Sequence, residues 1–323
     1  MNMEKLKLSQ EILPLEGLRN TTMMITEFII LGFGDLQELN PLLFLVFGIV
    51  YMATVSGNLL LVVLVCTQRG LQTPMYFFLA NLSCLEVCYT SNIVPRMLVD
   101  LLREKRVISM VGCIIQLYLF GALGSTECYL LAVMSYDRYL AVCRPLHYLT
   151  LMHGTLCVKL AIGSWFSGFT VAAAFQAAMV SSLNFCGGNE IDHFFCDLKP
   201  LQKLSCSDPY LVNLACMSLT ALVTLAPFGL TLASYWQIFS VVLHISSRQS
   251  RQKAFSTCSS HLVVVTLFYG TLILVYAVPL AGQVSSLNKA FSLLYTVVTP
   301  MCNPFIYSLK NNDIKEALKK LKI

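Results

Sequence analysis

Six long stretches of this chain contain no charged residue, and all of them are strongly apolar. They are 39–68, 107–126, 160–189, 209–247, 254–288 and 290–309. Each is about 20 residues or longer, the length that a helix needs to cross roughly 30 Å of hydrocarbon. A seventh apolar stretch, 76–98, is interrupted only by Glu86 and Arg96. None shows the strict alternation of a transmembrane strand, so the sequence predicts an all-α membrane protein, a seven-transmembrane helix bundle.

The composition agrees with a membrane protein and excludes several other classes. Of the 323 residues, 56% are hydrophobic and only 12% are charged, whereas an ordinary soluble domain carries about 25% charged residues. So few charges cannot cover a surface that faces water. The net charge of +5 is small and scattered along the chain, which excludes the clustered basic patch of a nucleic-acid-binding protein.

The ends of the chain are expected on opposite sides of the membrane. No apolar signal peptide precedes the first span, roughly 41–66, so this span is expected to act as a signal anchor. A small excess of Lys and Arg places the C-terminus in the cytoplasm, and the glycosylation sequon at Asn20 places the N-terminus outside. We therefore expect a plasma-membrane protein with an extracellular tail at 1–40, a seven-transmembrane domain at 41–310 and a cytoplasmic tail with a short amphipathic helix at 311–323.

The cysteines predict disulfides on the extracellular side. Most of the 13 cysteines lie within the predicted spans, where a thiol packs as a small hydrophobic group. The exceptions are Cys113 at the start of the third span and three residues between the fourth and fifth spans, Cys186, Cys196 and Cys206. All four are expected to face the oxidising side, which predicts two disulfides. Four cysteines allow three pairings, and composition and spacing do not distinguish between them.

Polar side chains inside apolar spans are costly and are therefore candidates for function. Glu86 and Glu127 are the two acids deep in the spans, and Asn58 and Asn303 accompany them. Two neighbouring carboxylates in a low dielectric require a proton on one of them or a cation between them. This group is therefore either an ion or proton site or a hydrogen-bonded brace between helices.

Two other polar features have a structural and a functional interpretation. Asp137 and Arg138 stand at the cytoplasmic end of the third span, where such a pair is either an interfacial anchor or a switch. His261 in the sixth span is either a group that responds to protons or, with more weight, a partner in a structural hydrogen bond.

No motif in the sequence indicates an enzyme. There is no phosphate-binding Gly-x-x-x-x-Gly-Lys, no His-Glu-x-x-His and no Cys-x-x-Cys pair for zinc. Gly32-Phe33-Gly34 lacks the third glycine and the helix of a dinucleotide-binding loop, which favours a simple turn. No nucleophile with a neighbouring base is evident, and no organic cofactor is implied.

A series of motifs along the chain resembles the signatures of one family. Residues 134–143, Met-Ser-Tyr-Asp-Arg-Tyr-Leu-Ala-Val-Cys, are similar to the Met-Ala-Tyr-Asp-Arg-Tyr-Val-Ala-Ile-Cys motif of vertebrate olfactory receptors, a branch of the rhodopsin-like G-protein-coupled receptors. Matching segments in the same order are 57–58, 73–79, 234–235, 253–261 and 300–309. The departures are mild, with Ser135 and Leu140 as variants inside the signature and Glu86 in place of the commoner aspartate.

The resemblance implies roles for the polar residues and the cysteines. It implies the disulfides Cys113–Cys196 and Cys186–Cys206, with Cys113–Cys206 as the alternative pairing. It implies a sodium ion, the one candidate cofactor, near Glu86 and Glu127 together with Asn58 and Asn303. It also assigns activation and G-protein coupling to Asp137, Arg138, Tyr139, Tyr235, His261, Asn303, Pro304 and Tyr307.

The resemblance further implies a ligand cavity in the outer half of the bundle. Phe120 occupies the position where aminergic receptors carry an aspartate, so a cationic ligand would lack a counter-ion and a small neutral volatile molecule fits better. The implied lining is apolar with a few hydroxyl groups: Phe120, Gly121, Gly124, Ser125, Leu219, Thr220, Val223, Tyr269, Leu272, Ile273 and Tyr276.

These implications combine into one functional hypothesis. The chain is expected to be an odorant receptor that couples to the stimulatory olfactory G protein and raises cyclic AMP, with export chaperones as further partners. The rival class is a transporter or channel, because intramembrane acids also serve ion pathways, but the chain lacks the internal repeats of many transporters. A receptor outside the nose that senses a metabolite is a third interpretation.

Overall fold

A computed structural model describes residues 26–182, 185, 188–206, 209–273 and 285–321. Six long helices are α1 Asn40–Thr67, α2 Pro74–Leu101, α3 Met110–Cys143, α4 Gly154–Ser182, α5 Pro209–Leu243 and α6 Arg248–Leu272. The seventh, α7, comprises Ser285–Leu293, a π-helical turn at Leu294–Val298 and Thr299–Lys310. A short helix, α8, follows at Asn312–Leu321. The predicted seven-helix bundle with a short C-terminal helix is confirmed.

The helices differ in how apolar they are. Within the described residues, α1 to α5 are each long and apolar enough to cross a membrane, and the apolar part of α6 is shorter, at Cys258–Leu272. Short helical turns connect or flank them, at Gly34–Leu39, Arg69–Leu71, Pro145–His147, Tyr148–Leu151 and Leu198–Lys203.

Several helix ends are set by local side-chain chemistry. Pro74 begins α2, where its missing N–H has no intrahelical partner to lose. Ser109 caps α3, because its hydroxyl oxygen accepts a hydrogen bond from the Gly112 N–H at 3.1 Å. Asn311 caps α8 in the same way, accepting from the N–H of Asp313 at 2.9 Å. These caps satisfy N–H groups that the helices leave without partners.

The third helix is longer than its charge-free stretch predicts. The charge-free stretch ends at residue 126, whereas α3 continues to Cys143 and includes Glu127, predicted deep in this span, and Asp137 and Arg138, predicted at its end. All three side chains are buried within the bundle, so none of them faces lipid and the helix continues past them. An absence of charge is required only on the surface that contacts hydrocarbon, so the helix extends beyond the charge-free stretch.

A small three-stranded sheet lies at the end of the bundle where α3 begins. Its strands are β1 Glu27–Ile30, β2 Val107–Ser109 and β3 Glu190–Ile191, with β1 in the centre. Strand β1 pairs antiparallel with β2 and parallel with β3. Residues 107–109, at the beginning of a charge-free stretch, are therefore strand, and the last part of the predicted N-terminal tail is ordered against the bundle.

The turn predicted at Gly32-Phe33-Gly34 is present, and it follows β1 directly. Both glycines have positive φ, 67° and 63°, a conformation that glycine adopts without steric cost. At Gly32 there is a second constraint, because a Cβ atom there would lie 2.5 Å from the Arg106 guanidinium. That guanidinium donates a hydrogen bond to the Leu31 carbonyl at 2.9 Å, so the turn and Arg106 fix each other.

Candidate functional site

The C-terminal end of α3 carries a closed ion pair. The Arg138 guanidinium donates to the carboxylate of its neighbour Asp137, with a distance of 3.0 Å from Nε to Oδ2. The hydroxyl of Tyr148, in the turn after α3, donates to Asp137 Oδ1 at 2.8 Å. Burial, and then the Asp137 charge, raise the pKa of the Tyr148 hydroxyl, which keeps the proton that makes this bond. Arg138 is only 6% exposed, so its release requires another partner for each charge.

A hydrogen bond joins α5 to α6 at the same end of the bundle. The hydroxyl of Tyr235 and Nδ1 of His261 are 2.7 Å apart, and their rings are stacked. Both residues are buried, and the half-buried Tyr139 of α3 packs against the same apolar cluster as Tyr235. Helices α3, α5 and α6 are thus linked through residues that the sequence assigns to activation.

The inner part of α7 supplies the remaining predicted activation residues. Tyr307 is 1% exposed, and its hydroxyl has no hydrogen-bond partner in the described part of the chain. Pro304 packs against α1, where a Cβ atom on Gly57 would lie 3.2 Å from Pro304 Cγ. This glycine therefore permits the close approach of α1 and α7.

Four buried polar residues meet in the middle of the bundle. Asn303 donates a hydrogen bond from Nδ2 to Glu86 Oε1. Asn58 donates to the carbonyls of Thr54 at 2.9 Å and of Pro300 at 3.3 Å. Glu127 lies close enough to Glu86 for their charges to interact. The structure therefore brings together the four residues that the sequence proposes as an ion or proton site.

Each of the same four residues has a buried oxygen atom without a hydrogen-bond partner in the described ranges. These atoms are Asn58 Oδ1, Glu86 Oε2, Glu127 Oε1 and Asn303 Oδ1. Unpaired buried acceptors are costly, and carboxylate and amide oxygens are the ligands that hard cations prefer. The donor set thus fits a small cation such as sodium. A proton on one carboxyl would provide a hydrogen-bond donor to only some of these four oxygens.

The outer half of the bundle is filled by aromatic rings around Phe120. The centroid of its ring lies 5.6 Å from that of Tyr89, 5.3 Å from Phe195 and 5.8 Å from Tyr295. Tyr89 and Tyr295 belong to α2 and α7, whereas Phe195 comes from the loop between α4 and α5. A ligand that reaches Phe120 must therefore share this region with the loop.

The other residues of the predicted cavity are placed unequally. Val223 and Tyr269 are buried, whereas Thr220 and Ile273 are exposed, which places the latter two at the surface of the described structure. Tyr276 lies outside the described residues. The half-buried members are Gly121, Gly124, Ser125, Leu219 and Leu272.

Sequence reasoning missed a set of polar contacts between this loop and α7. Lys289 Nζ and Asp192 Oδ1 are 2.6 Å apart, and His193 Nε2 lies 3.2 Å from Ser292 Oγ. Burial, and then the Lys289 charge, lower the pKa of His193 to about 3. The sequence offers one hint, because His193 stands three residues before Cys196 and a disulfide at Cys196 holds this segment near the start of α3; nothing in the sequence indicates the contacts with α7.

The disulfide between α3 and the loop joins Cys113 to Cys196. The alternative pairing of Cys113 with Cys206 is therefore wrong. Cys206 is also disulfide-bonded, while Cys186 and the sequon at Asn20 lie outside the described residues. Gln116 reinforces the link, since its Oε1 accepts from the Cys196 N–H at 3.0 Å.

The seven helices, the Asp137–Arg138 ion pair at one end and the disulfide-tied loop at the other define a receptor of the rhodopsin-like G-protein-coupled class. A sequence profile described as olfactory receptor matches residues 47–323. The chain is 50% identical to human Olfactory receptor 10A7 over 296 residues, 92% of this chain and 93% of that protein. It is 47% identical to rat Olfactory receptor 1f45 over 297 residues, 92% of this chain and 95% of that protein.

The chain belongs to the olfactory receptor family. It is therefore a multi-pass membrane protein and a G-protein-coupled receptor with odorant ligands and a G protein as partners, and it is not an enzyme. A mouse relative, Olfactory receptor 5M5, is 45% identical over 314 residues, which are 95% of this chain and 96% of that protein.

Proposed function

We propose that this receptor binds small neutral volatile molecules in the outer half of its bundle, activates the stimulatory olfactory G protein and raises cyclic AMP. The observation that carries the proposal is the cytoplasmic arrangement of Arg138, paired with Asp137 beside the Tyr235–His261 contact. Arg138 is buried and already charged, so an outward movement of α6 would expose it to a transducer. The hydrogen bonds around Arg138 stabilise the resting state, and activation would break them.

The charge balance near Phe120 favours neutral ligands. Phe120 is surrounded by aromatic rings, and the buried cation of Lys289 is neutralised by Asp192. A volatile molecule of roughly ten heavy atoms at about 0.5 kcal/mol each gains about 5 kcal/mol, a dissociation constant on the order of 0.1–1 mM. Such weak binding still signals if the ligand favours the active state by about 1.4 kcal/mol, a tenfold shift in population.

A sodium ion among Asn58, Glu86, Glu127 and Asn303 is part of the proposal. Their unpaired oxygens support it. When bound, the ion supplies positive charge that neutralises the two carboxylates in the middle of the bundle. Because α7 carries Asn303, any movement of α7 alters this set of oxygen atoms.

We further propose an orientation with the N-terminus outside the cell. The tail 1–40 with a glycan on Asn20 would be extracellular, the receptor domain 41–310 would cross the plasma membrane bilayer, and 311–323 would be cytoplasmic. The small excess of Lys and Arg on the inner side supports this arrangement, and passage to the surface is expected to use export chaperones. Epitope tags at the two ends test it, and two tags on the same side would contradict it.

A cyclic AMP screen of neutral volatile molecules in transfected cells tests the function. Arg138→Ala is expected to abolish the response while the receptor still reaches the surface. Arg103→Ala is the matched control, since Arg103 is an exposed arginine just beyond the end of α2, and it should respond as the parent does. Ion or solute flux in a reconstituted preparation, without nucleotide exchange on a G protein, would support the rival transporter class instead.

A further inference from the structure

The His193 side chain is held rigidly between the loop and α7. Its backbone carbonyl accepts a hydrogen bond from the Gly32 N–H at 3.0 Å, and its ring nitrogen Nε2 contacts Ser292 Oγ at 3.2 Å. The preceding residue, Asp192, pairs with Lys289, one turn before Ser292 on α7. Two consecutive loop residues are therefore attached to the same face of one helix.

The hydrogen-bond network decides which ring nitrogen of His193 carries the hydrogen. The Tyr295 hydroxyl donates to Ser292 Oγ at 3.2 Å. Among the contacts of the described residues, the acceptor for the Ser292 hydroxyl hydrogen is His193 Nε2, which assigns the hydrogen of the neutral ring to Nδ1. The lowered pKa of His193, about 3, keeps the ring neutral at physiological pH.

The Nδ1 atom of His193 is buried and has no hydrogen-bond partner among the described residues. The whole residue is 4% exposed. Its ring centroid lies 4.6 Å from that of Phe194 and 4.7 Å from that of Phe195, and Phe195 contacts Phe120. A buried donor without an acceptor is unfavourable, and here it lies beside the rings of the predicted odorant region.

We propose that His193 is a ligand-binding residue whose Nδ1–H donates a hydrogen bond to an acceptor oxygen of the odorant. The ligand class that fits is small ketones, aldehydes and esters, with the carbon skeleton packed against Phe120 and Phe195. These molecules accept a hydrogen bond and donate none. An alcohol would bring a hydroxyl hydrogen into the same apolar surroundings, where Nε2 is already bonded to Ser292. The inference rests on the proposed function and specifies its ligand.

Two substitutions separate hydrogen bonding from structural support. The amide nitrogen of an asparagine overlaps the Nδ1 position of histidine, so His193→Asn keeps a donor there. His193→Phe keeps a planar ring but removes the donor. His147→Phe is the matched control, because His147 is an exposed histidine in the turn after α3.

The measurement is ligand-induced thermal stabilisation of the purified receptor, with cyclic AMP dose–response curves as a second readout. The probes are pairs of C6–C10 molecules, each a ketone or ester and the alkane of the same skeleton. His193→Phe is expected to weaken ketone and ester binding about tenfold and to leave alkane binding unchanged, while His193→Asn and His147→Phe keep the parent preference.

Three outcomes would overturn the proposal. They are equal losses for ketone and alkane in His193→Phe, an unchanged ketone affinity, or a parent receptor that binds alkanes as well as ketones. Binding of volatile molecules without any G-protein response contradicts the proposed function. The thermal-stabilisation measurements would still test the role of His193 in that case. A receptor that binds no member of any pair contradicts both.

Discussion

The two ends of this receptor are built by different means. At the end where α3 finishes, the contacts described are between side chains: the Asp137–Arg138 pair within α3 and the Tyr235–His261 hydrogen bond between α5 and α6. At the other end, a three-stranded sheet and the Cys113–Cys196 disulfide fix the backbone itself. Side-chain contacts can exchange partners when side chains or helices move, whereas paired strands and a covalent bond keep theirs. Under the proposed function, switching would take place at the inner end, where α3 finishes, and ligand selection on a fixed outer frame.

Removing the disulfide should give the largest effect, because it breaks the fixed frame. Cys113→Ser is expected to lower the free energy of unfolding by about 2–4 kcal/mol and to reduce surface expression sharply. Cys88→Ser is the control, since Cys88 is a free, exposed cysteine of α2. Surface labelling and thermal unfolding measure both variants. A Cys113→Ser receptor as stable as Cys88→Ser would show that the outer frame does not depend on this link.

The second prediction concerns the side-chain link between α5 and α6. Tyr235→Phe leaves the buried Nδ1 of His261 unpaired and should cost about 1–3 kcal/mol, whereas the double variant Tyr235→Phe/His261→Phe should cost less than the two single changes together. Thermal unfolding of the four receptors forms the cycle. Strict additivity would mean that the two side chains do not couple in the resting state.

The predictability of the fold also differs between parts of the molecule. The first span is expected at roughly 41–66 and α1 is Asn40–Thr67, because hydrophobic length alone sets it. For the third span the charge-free stretch alone is too short, because Glu127 and Arg138 are buried rather than exposed to lipid, and motif positions are needed to place its end. The outer sheet gives no signal, since its strands are two to four residues long and join segments far apart in the chain.

The residues of the candidate site also differ in how well the sequence predicts them. The residues of the Asp137–Arg138 pair and of the central polar cluster stand within sequence motifs or are polar groups inside apolar stretches, so the sequence points to them directly. His193 and Lys289 are ordinary polar residues next to spans. Their importance comes from tertiary packing between the loop and α7, which depends on contacts that no local pattern encodes.

The third prediction uses low pH to lower the stability of the outer end through protonation of His193. Burial first, and then Lys289, lower the pKa of His193 to about 3, while Asp192 opposes the shift. An unfolded histidine has a pKa of about 6.5, so the stability due to the neutral ring is complete above that pH and is lost as the pH falls toward 3. At pH 5.5 the loss is on the order of 1 kcal/mol.

His193→Asn removes this titration and provides the reference. The difference in unfolding temperature between pH 7.5 and pH 5.5 should be larger for the parent than for His193→Asn. Other acids, including the buried Asp197 beside the loop, titrate in both receptors and cancel in the comparison. Equal pH dependence would mean that the ring of His193 is not desolvated in the folded receptor.

The smallest effect is expected for the ion pair between the loop and α7. The Asp192 side chain is 53% exposed and that of Lys289 only 9%, so solvent screens the pair from one side and Asp192→Asn should cost about 0.2–1 kcal/mol. Lys289→Met/Asp192→Asn removes both charges and should cost less than Asp192→Asn alone, because no buried ammonium is left without a partner. Thermal unfolding of the single and double variants measures the difference. A double variant less stable than the single one would show that Lys289 contributes through contacts other than Asp192, and the outer end would then depend on side-chain links as the inner end does.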